Sequence, residues 1–335
     1  MPERRVTHVV RSDGFAGVER YVCDTATELE RRGWEVTVIG GDPDLMPQAL
    51  PPAARFIPAR TTAEVARAIW ASGPTQVLHT HMTAAEAAAA LQKGLRFERW
   101  VTTCHFARPR GSSSLGRAIR PLIHRRVDVQ VAISRFVADA IDVPSIVIHN
   151  GVPASTEPPR DRDRTVVMMQ RLEAEKDTAI GLRAWAASGL GGDGWRMRVF
   201  GRGSELDRLE KTCTDLGVTS SVSFEGFAVE SRRVLAEAGL VLATAPAEPF
   251  GLTVVEAMAE GAAIVAADGG GHREALGDRA SLFTPGDVDA AAHALLTLAD
   301  DPDRRAHMGE ELRQRHHDLF SVAHHVDQLE RLYRA

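Results

Sequence analysis

Two carboxylates, Glu248 and Glu256, stand with seven residues between them in EPFGLTVVEAMAEG (248–261), a run otherwise apolar or small. Thr253-Val254-Val255-Glu256 has the spacing of a capping box, with Thr253 as N-cap, Glu256 at the third helical position and Gly261 ending the helix. That accounts for Glu256 without a ligand. It leaves Glu248, which follows the apolar run GLVLATAPA in a loop beside Pro249 and Gly251. The backbone N–H groups of a helix start at 250–254 suit a phosphate. Upstream, RLEAEK places Arg171 directly after a strand and Lys176 five residues on. An arbitrary pair of this kind is two solvated cations; aimed at a leaving group, it is fixed charge that lowers a barrier.

Histidines stand at the ends of two strand-like runs, His79 and His81 in VLHTH and His105 in VTTCH. A strand-end histidine is more often packed than catalytic, and three together raise the question of metal. No carboxylate or cysteine is spaced to complete a ligand set, so no metal is expected. The Asp-x-Asp runs at 42–44, 161–163 and 301–303 sit beside proline or in charged loops, where turns explain them.

The elements that must position these groups alternate. Strand signals cover 5–10, 34–41, 75–81, 99–105, 127–134 and 144–152, with helical signals over 17–33, 63–73, 83–94 and 134–142. The alternation resumes with strands at 165–170, 195–201, 221–227, 239–245 and 262–268 and helices at 177–188, 203–216 and 229–238, and the tail is helical. Repeated units of this length predict parallel sheets covered on both faces. PASTEPPRDRDR, rich in proline and charge, reads as a linker. The expected plan is a Rossmann-like domain over 1–153, a linker over 154–164, a second Rossmann-like domain over 165–315 and a terminal helix over 316–335. Carboxyl-end crevices facing each other across a cleft are expected, because ligands of open α/β sheets bind there.

In order along nearly the whole chain, the runs AGVERY (16–21), VLHTH (77–81), VTTCH (101–105), VAISRF (131–136), IHNGV (148–152), QRLEAEKD (170–177), VFGRGSE (199–205), VSFEGF (222–227), EPFGLTVVEAMAEG and GGGHRE (269–274) resemble the motifs of the family-four retaining glycosyltransferases with the GT-B fold. Two positions depart from the pattern: Ala16 replaces the first glycine of a Gly-Gly pair, and Ala263 replaces a proline. The resemblance implies a metal-independent transfer of sugar, with retention, from a nucleotide-diphospho-sugar, UDP- or GDP-linked, and no other cofactor. The acceptor would be a sugar, a lipid or a small molecule held by the first domain, with the donor in the second and the terminal helix crossing back to the first. Arg171 and Lys176 would bind the diphosphate, Glu256 the ribose hydroxyls, and Glu248 the donor sugar beside Phe250, Gly251, Leu252 and Thr253. His105 would lie near the reacting centre, Gly17 would let backbone amides approach a phosphate or acceptor, and Gly201 would border the base or ribose. Nucleotide-sugar 2-epimerases and synthase-like or phosphorylase-like GT-B enzymes share the architecture. A non-catalytic nucleotide-sugar binder is the remaining alternative, and the intact Arg171, Lys176, Glu248 and Glu256 speak against it.

The totals set the outer bounds. With 335 residues, 44% apolar and 25% charged, two soluble domains are the prior. A formal net charge of −5 excludes a nucleic-acid binder by bulk electrostatics. Cys23, Cys104 and Cys213 lie far apart, which fits a reducing cytoplasm rather than a disulfide framework. No run approaches the ~20 apolar residues of a membrane span. The basic segment RPRGSSSLGRAIRPLIHRR (108–126) could touch the anionic inner face of a membrane, although Pro121 interrupts any long amphipathic helix there.

Overall fold

The computed structural model describes residues 4–12, 14–107, 123–141, 143–156, 162–228 and 230–334. Residues 108–122 of the basic segment and 157–161 of the linker lie outside that set. The chain forms two units, Met1–Val152 with Ser321–Ala335, and Pro153–Phe320.

The first unit is built on seven parallel strands: β1 (Arg5–Val10), β2 (Glu35–Ile39), β3 (Arg55–Ile57), β4 (Thr75–His81), β5 (Phe97–Cys104), β6 (Val129–Ala132) and β7 (Ile146–Val147). Their order is β3-β2-β1-β4-β5-β6-β7. The connections include α1 (Gly17–Arg31), α2 (Met46–Ala49), α3 (Thr62–Ala71), α4 (Thr83–Ala89) and α5 (Arg135–Ala140). Val6, Val36, Val77, Val101 and Val131 line one sheet face and pack with Tyr21, Val22 and Leu29 of α1. Val9, Ile39, Leu78 and Trp100 line the other, under Val65 and Ile69 of α3 and Ala85 and Ala89 of α4. Burial on both faces is why these strands read as nearly continuous apolar runs. The predicted helix over 83–94 stops early: Gln92 Nε2 donates to the Ala66 and Ala88 carbonyls, and Gly94 has φ +81°.

The second unit has six parallel strands: β8 (Thr165–Met169), β9 (Arg196–Phe200), β10 (Val222–Gly226), β11 (Leu240–Ala243), β12 (Ile264–Ala267) and β13 (Ser281–Phe283). Their order is β10-β9-β8-β11-β12-β13. Its helices are α6 (Thr178–Ser188), α7 (Leu206–Asp215), α8 (Ser231–Glu237), α9 (Leu252–Ala259), α10 (His272–Leu276), α11 (Val288–Ala299) and α12 (Pro302–Leu319). The order reverses at β8, so the carboxyl ends of β8 and β11 flank a switch point of the kind that binds ligands.

The helical tail is broken at Phe320 and Ser321, and its last piece, α13 (Val322–Arg334), belongs to the first unit. Val322, Val326, Leu329 and Tyr333 join the valine face of that sheet. Trp34 Nε1 donates to Glu330 at 2.8 Å and anchors the helix. Among the described residues, no helix is long and apolar enough to cross a membrane.

Candidate active site

In the second unit the chain leaves β8 through Gln170 into a 3₁₀ turn, Ala174–Lys176. Asp177 ends that turn at φ +49°, a left-handed conformation that aspartate tolerates better than most residues. Gln170 Nε2 and Thr244 Oγ1 both donate to the Lys176 carbonyl, at 3.2 and 2.8 Å, so strand ends from β8 and β11 fix the turn. The Lys176 ammonium is thereby brought onto the Glu248 carboxylate as a short hydrogen-bonded ion pair. Glu248 is held from beneath: Gly271 N–H donates to its carbonyl at 2.6 Å, and a Cβ at Gly270 would come 2.3 Å from the same oxygen. His272 packs beside Gly251 and bonds the Ala267 carbonyl through Nδ1 at 3.0 Å. Burial lowers its pKa, while the nearby Glu248 charge pulls the other way.

Arg171 stands apart from this pair. Its side chain is 62% exposed and bonds Glu175 one turn on, at 2.6 Å. The capping reading of Thr253 is corrected. Helix α9 begins at Leu252 with Gly251 as N-cap at φ +92°, and no side chain caps it. Glu256 therefore falls in the second turn, where it is buried and has no capping-box geometry to make. A glycine takes the left-handed N-cap at no steric cost, which lets the helix start earlier than the threonine suggests. The uncapped amides of Leu252 and Thr253 open at the carboxyl end of β11, while the Phe250 ring is buried against Phe320. Gly201, at φ +139°, ends β9 where a Cβ would collide with the Gln170 carbonyl at 1.9 Å. Two of the Asp-x-Asp runs are turn and cap chemistry: Asp42 accepts from the Asp44 and Leu45 amides, and Asp301 caps α12 through Arg304 N–H. The run at 161–163 begins outside the described residues.

In the first unit, Gly17 is the exposed first residue of α1. The helix start is tied down by Glu19, which accepts from Ala16 N–H at 2.9 Å and from the Ser12 hydroxyl. His105 follows β5 and is buried, 7% exposed. It joins a cluster that includes His8, a residue the sequence reading did not single out. In the parallel register His8 lies opposite His79, and His81 opposite Thr103. His8 Nδ1 is 2.9 Å from His81 Nε2, and His81 Nδ1 is 3.3 Å from His105 Nε2. His79 is engaged at both nitrogens, by Tyr333 Oη at 2.6 Å and Thr103 Oγ1 at 2.7 Å. Burial drives His8 down to about 3 and holds His79 and His81 well below the ordinary imidazole value. One nitrogen from each of His8, His79 and His81 lies within 4.8 Å of the others, close enough for a cation. That cation would have to displace ring hydrogen bonds already made, and the trio brings no carboxylate to offset its charge.

Residues 15–156 match the family model described as Glycosyltransferase Family 4, and residues 155–315 match that of Glycosyl transferases group 1. The chain belongs to the family-4-type GT-B glycosyltransferases. A phosphatidyl-myo-inositol mannosyltransferase of Mycolicibacterium smegmatis is 27% identical to this glycosyltransferase over 87% of the chain and 83% of that protein. An exopolysaccharide phosphotransferase of Streptomyces coelicolor is 30% identical, but the match covers 50% of this chain and only 18% of that protein. The crystal structure of Anabaena HepE in complex with UDP and glucose superposes with a TM-score of 0.83, 21% identity and coverage of 98% of this chain and 99% of that one. A Rickettsia africae glycosyltransferase gives 0.79 at 16% identity, covering 100% and 98%.

Four contributors to these sites are not evident from the sequence of this glycosyltransferase: Gln170, Thr244, the Gly269–Gly271 run and His8. Gln170 and Thr244 act on a backbone carbonyl, a contact that leaves no spacing signal. The Gly269–Gly271 run was legible as a motif, but its task of letting backbone approach Glu248 was not. His8 could have been found by aligning RVTHVV with TQVLHTH as neighbouring parallel strands.

Proposed function

We propose that this glycosyltransferase moves a sugar from a nucleotide-diphospho-sugar to a hydroxyl acceptor, with retention at the anomeric carbon and without a catalytic metal. The observation that carries this reading is the Lys176–Glu248 pair fixed beside the uncapped start of α9, at the switch point of the second sheet. Cleaving the sugar–phosphate bond leaves a diphosphate of growing negative charge. Lys176, exposed Arg171 and the amides of Leu252 and Thr253 are the positive groups that would meet it, and they would take the place of a divalent ion. Glu248 would then face the sugar hydroxyls and Glu256 the ribose. His105 and Gly17 of the first unit would serve the acceptor side, and Gly201 would border the nucleoside. Anabaena HepE, bound to UDP and glucose, favours a uridine donor, and the mannosyltransferase relative makes a lipid-linked acceptor a reasonable class. The basic stretch 108–126 would bring such an acceptor's membrane surface close.

The test is a thermal-shift panel of UDP- and GDP-sugars, since a donor that binds the folded state raises its melting temperature. Transfer with the best donor is then followed by NMR of the anomeric proton, with and without excess EDTA. A retained configuration and full activity in EDTA are expected. An inverted product, an epimerised donor or loss of activity restored by Mg²⁺ or Mn²⁺ would each remove the corresponding part of the reading.

A further inference from the structure

One corner of the first unit carries apolar side chains that the fold does not use. Trp70, in the last turn of α3, is 51% exposed, and Leu91 and Leu95, in the turn between α4 and β5, are 83% and 66% exposed. A singly exposed apolar residue needs no explanation, but three gathered among cations do. We propose that this corner is a docking surface for an anionic lipid bilayer. Trp70, Leu91 and Leu95 enter the headgroup layer, and Arg67, Arg96 and Arg126 meet lipid phosphates. The proposal stands apart from the transfer chemistry and from the choice of donor and acceptor.

Backbone and side-chain contacts bring the three together. Gln92 Nε2 donates to the Ala66 carbonyl at 3.0 Å, which seats the turn against α3 one helical turn before Trp70. The Leu95 and Arg96 amides both close on the Gln92 carbonyl, at 3.1 and 3.0 Å, so Leu91 and Leu95 stand on one compact turn. The Arg96 guanidinium lies 3.6 Å above the centre of the Trp70 ring. Arg126 donates to the Ala90 carbonyl at 2.6 Å and accepts from Lys93 at 2.7 Å, which ties the described end of the basic stretch to the same corner.

The charge there is not cancelled locally. Arg67 bonds the Ala63 carbonyl of its own helix, and Arg96 Nε is buried with no hydrogen-bond partner. Glu64, the one carboxylate of α3, is held at the helix start by the Arg60 and Thr61 amides. Asp128 neutralises Lys93 and leaves the arginines uncompensated. On a chain of net charge −5, attraction to an anionic surface requires such a local concentration of cations. A tryptophan, aliphatic tips and long cationic side chains around them are the composition of an interfacial anchor. The corner precedes β4 and β5, at the amino edge of the sheet, whereas His81 and His105 stand at the carboxyl edge. The seven residues of β4 separate the two edges by about 20 Å, so docking leaves the carboxyl edge open.

The experiment is co-sedimentation of the full chain with vesicles of phosphatidylcholine plus phosphatidylglycerol, against phosphatidylcholine alone. Binding to the anionic vesicles, weakened by salt, is expected. Trp34, Trp100, Trp185 and Trp195 are buried, so brominated acyl chains should quench chiefly Trp70, and Trp70→Phe should remove that quenching. The double variant Leu91→Ser with Leu95→Ser should weaken partition by roughly 10-fold or more. Arg67→Gln and Arg96→Gln should each weaken it by about fivefold. These are surface changes, so circular dichroism and melting temperature should stay parental. Equal partition into both vesicles, no partition at low ionic strength, or binding that survives the double leucine variant would overturn the proposal. So would a dimer in sedimentation equilibrium that the leucine variant dissolves, since the occupant would then be a second copy. Vesicle binding is read without turnover, so it stands or falls separately from the transferase reading.

Discussion

At the scale of single residues, two of the charges proposed to act on the donor, Lys176 and Glu248, are paired with each other. Lys176 and Glu248 are both mostly buried and joined. A diphosphate approaching α9 would compete with Glu248 for the ammonium, so the two residues should fail differently. Lys176→Ala should lower kcat by ~10²-fold or more, the usual loss for a preorganised charge, with the fold intact by circular dichroism. Glu248→Gln keeps a hydrogen-bond acceptor for Lys176 and should lower kcat more than donor affinity. If it transfers sugar at the parental rate, Glu248 is only a loop residue. Glu256→Gln makes no difference to a cap, since the N-cap position of α9 is Gly251 and no side chain caps the helix. Its expected effect is weaker donor binding, measured by titration. The carboxylate spacing and the Arg-Leu-x-x-x-Lys run were readable because each lies within one local stretch. The cap was misread because a left-handed glycine can start a helix where a threonine also fits.

At the scale of elements, what escaped the sequence is what adjacent strands do together. The neighbouring β1, β4 and β5 carry His8, His79, His81 and Thr103, and α13 adds His325 and Tyr333 over them. No window along the chain contains this cluster. It has a consequence for acid stability. Burial lowers His8 to about 3 and His325 to about 4, and holds His79 and His81 well below 6.5. The unfolded chain takes up these protons near pH 6.5 while the folded state does not, so there is no penalty above about pH 7, and stability falls as the pH drops from there. Each such histidine contributes a slope of up to ~1.4 kcal/mol per pH unit. Urea melts between pH 7 and 5 should therefore show a steeper loss than one histidine gives, and His8→Asn should reduce the slope by about one proton. That window lies above the range where Glu28 and Glu330, whose pKa values are lowered by their arginine and tryptophan partners, begin to protonate. A flat profile down to pH 5 would mean the cluster is hydrated. In the second unit, Gly270→Ala puts a methyl against the Glu248 carbonyl at a position with φ +57°. It should reduce transfer rates at least as much as Glu248→Gln, because it moves the whole loop.

At the scale of the molecule, the alternation of strand and helix was enough to read two parallel-sheet domains, since each βα repeat dictates its own return, while the GT-B fold came from the resemblance of the ordered motifs. The short elements β3, α2, α10 and β13 were not read, because three to five residues carry no period. The chain also returns to its first unit after finishing the second, through α13. That helix buries Val322, Val326, Leu329 and Tyr333 against the valine face of the first sheet. At about 1.5–3 kcal/mol for each large apolar side chain, four of them are worth on the order of 6–12 kcal/mol before ordering costs. A domain's whole stability is about 5–15 kcal/mol. The Trp34–Glu330 bond and the His325 bond to the His149 carbonyl, at 2.7 Å, would be lost as well, leaving buried partners unsatisfied. Ending the chain at Phe320 should therefore unfold the first unit while the second, whose core lies wholly within Pro153–Phe320, keeps a cooperative urea transition. Tryptophan fluorescence separates the two, because Trp34 and Trp100 report the first unit and Trp185 and Trp195 the second. A truncated chain that still shows both transitions would mean that the α1 face closes without α13. Tyr333→Phe gives the graded version: it keeps the ring, loses the hydroxyl on His79, and should cost ~1–3 kcal/mol by the same melt.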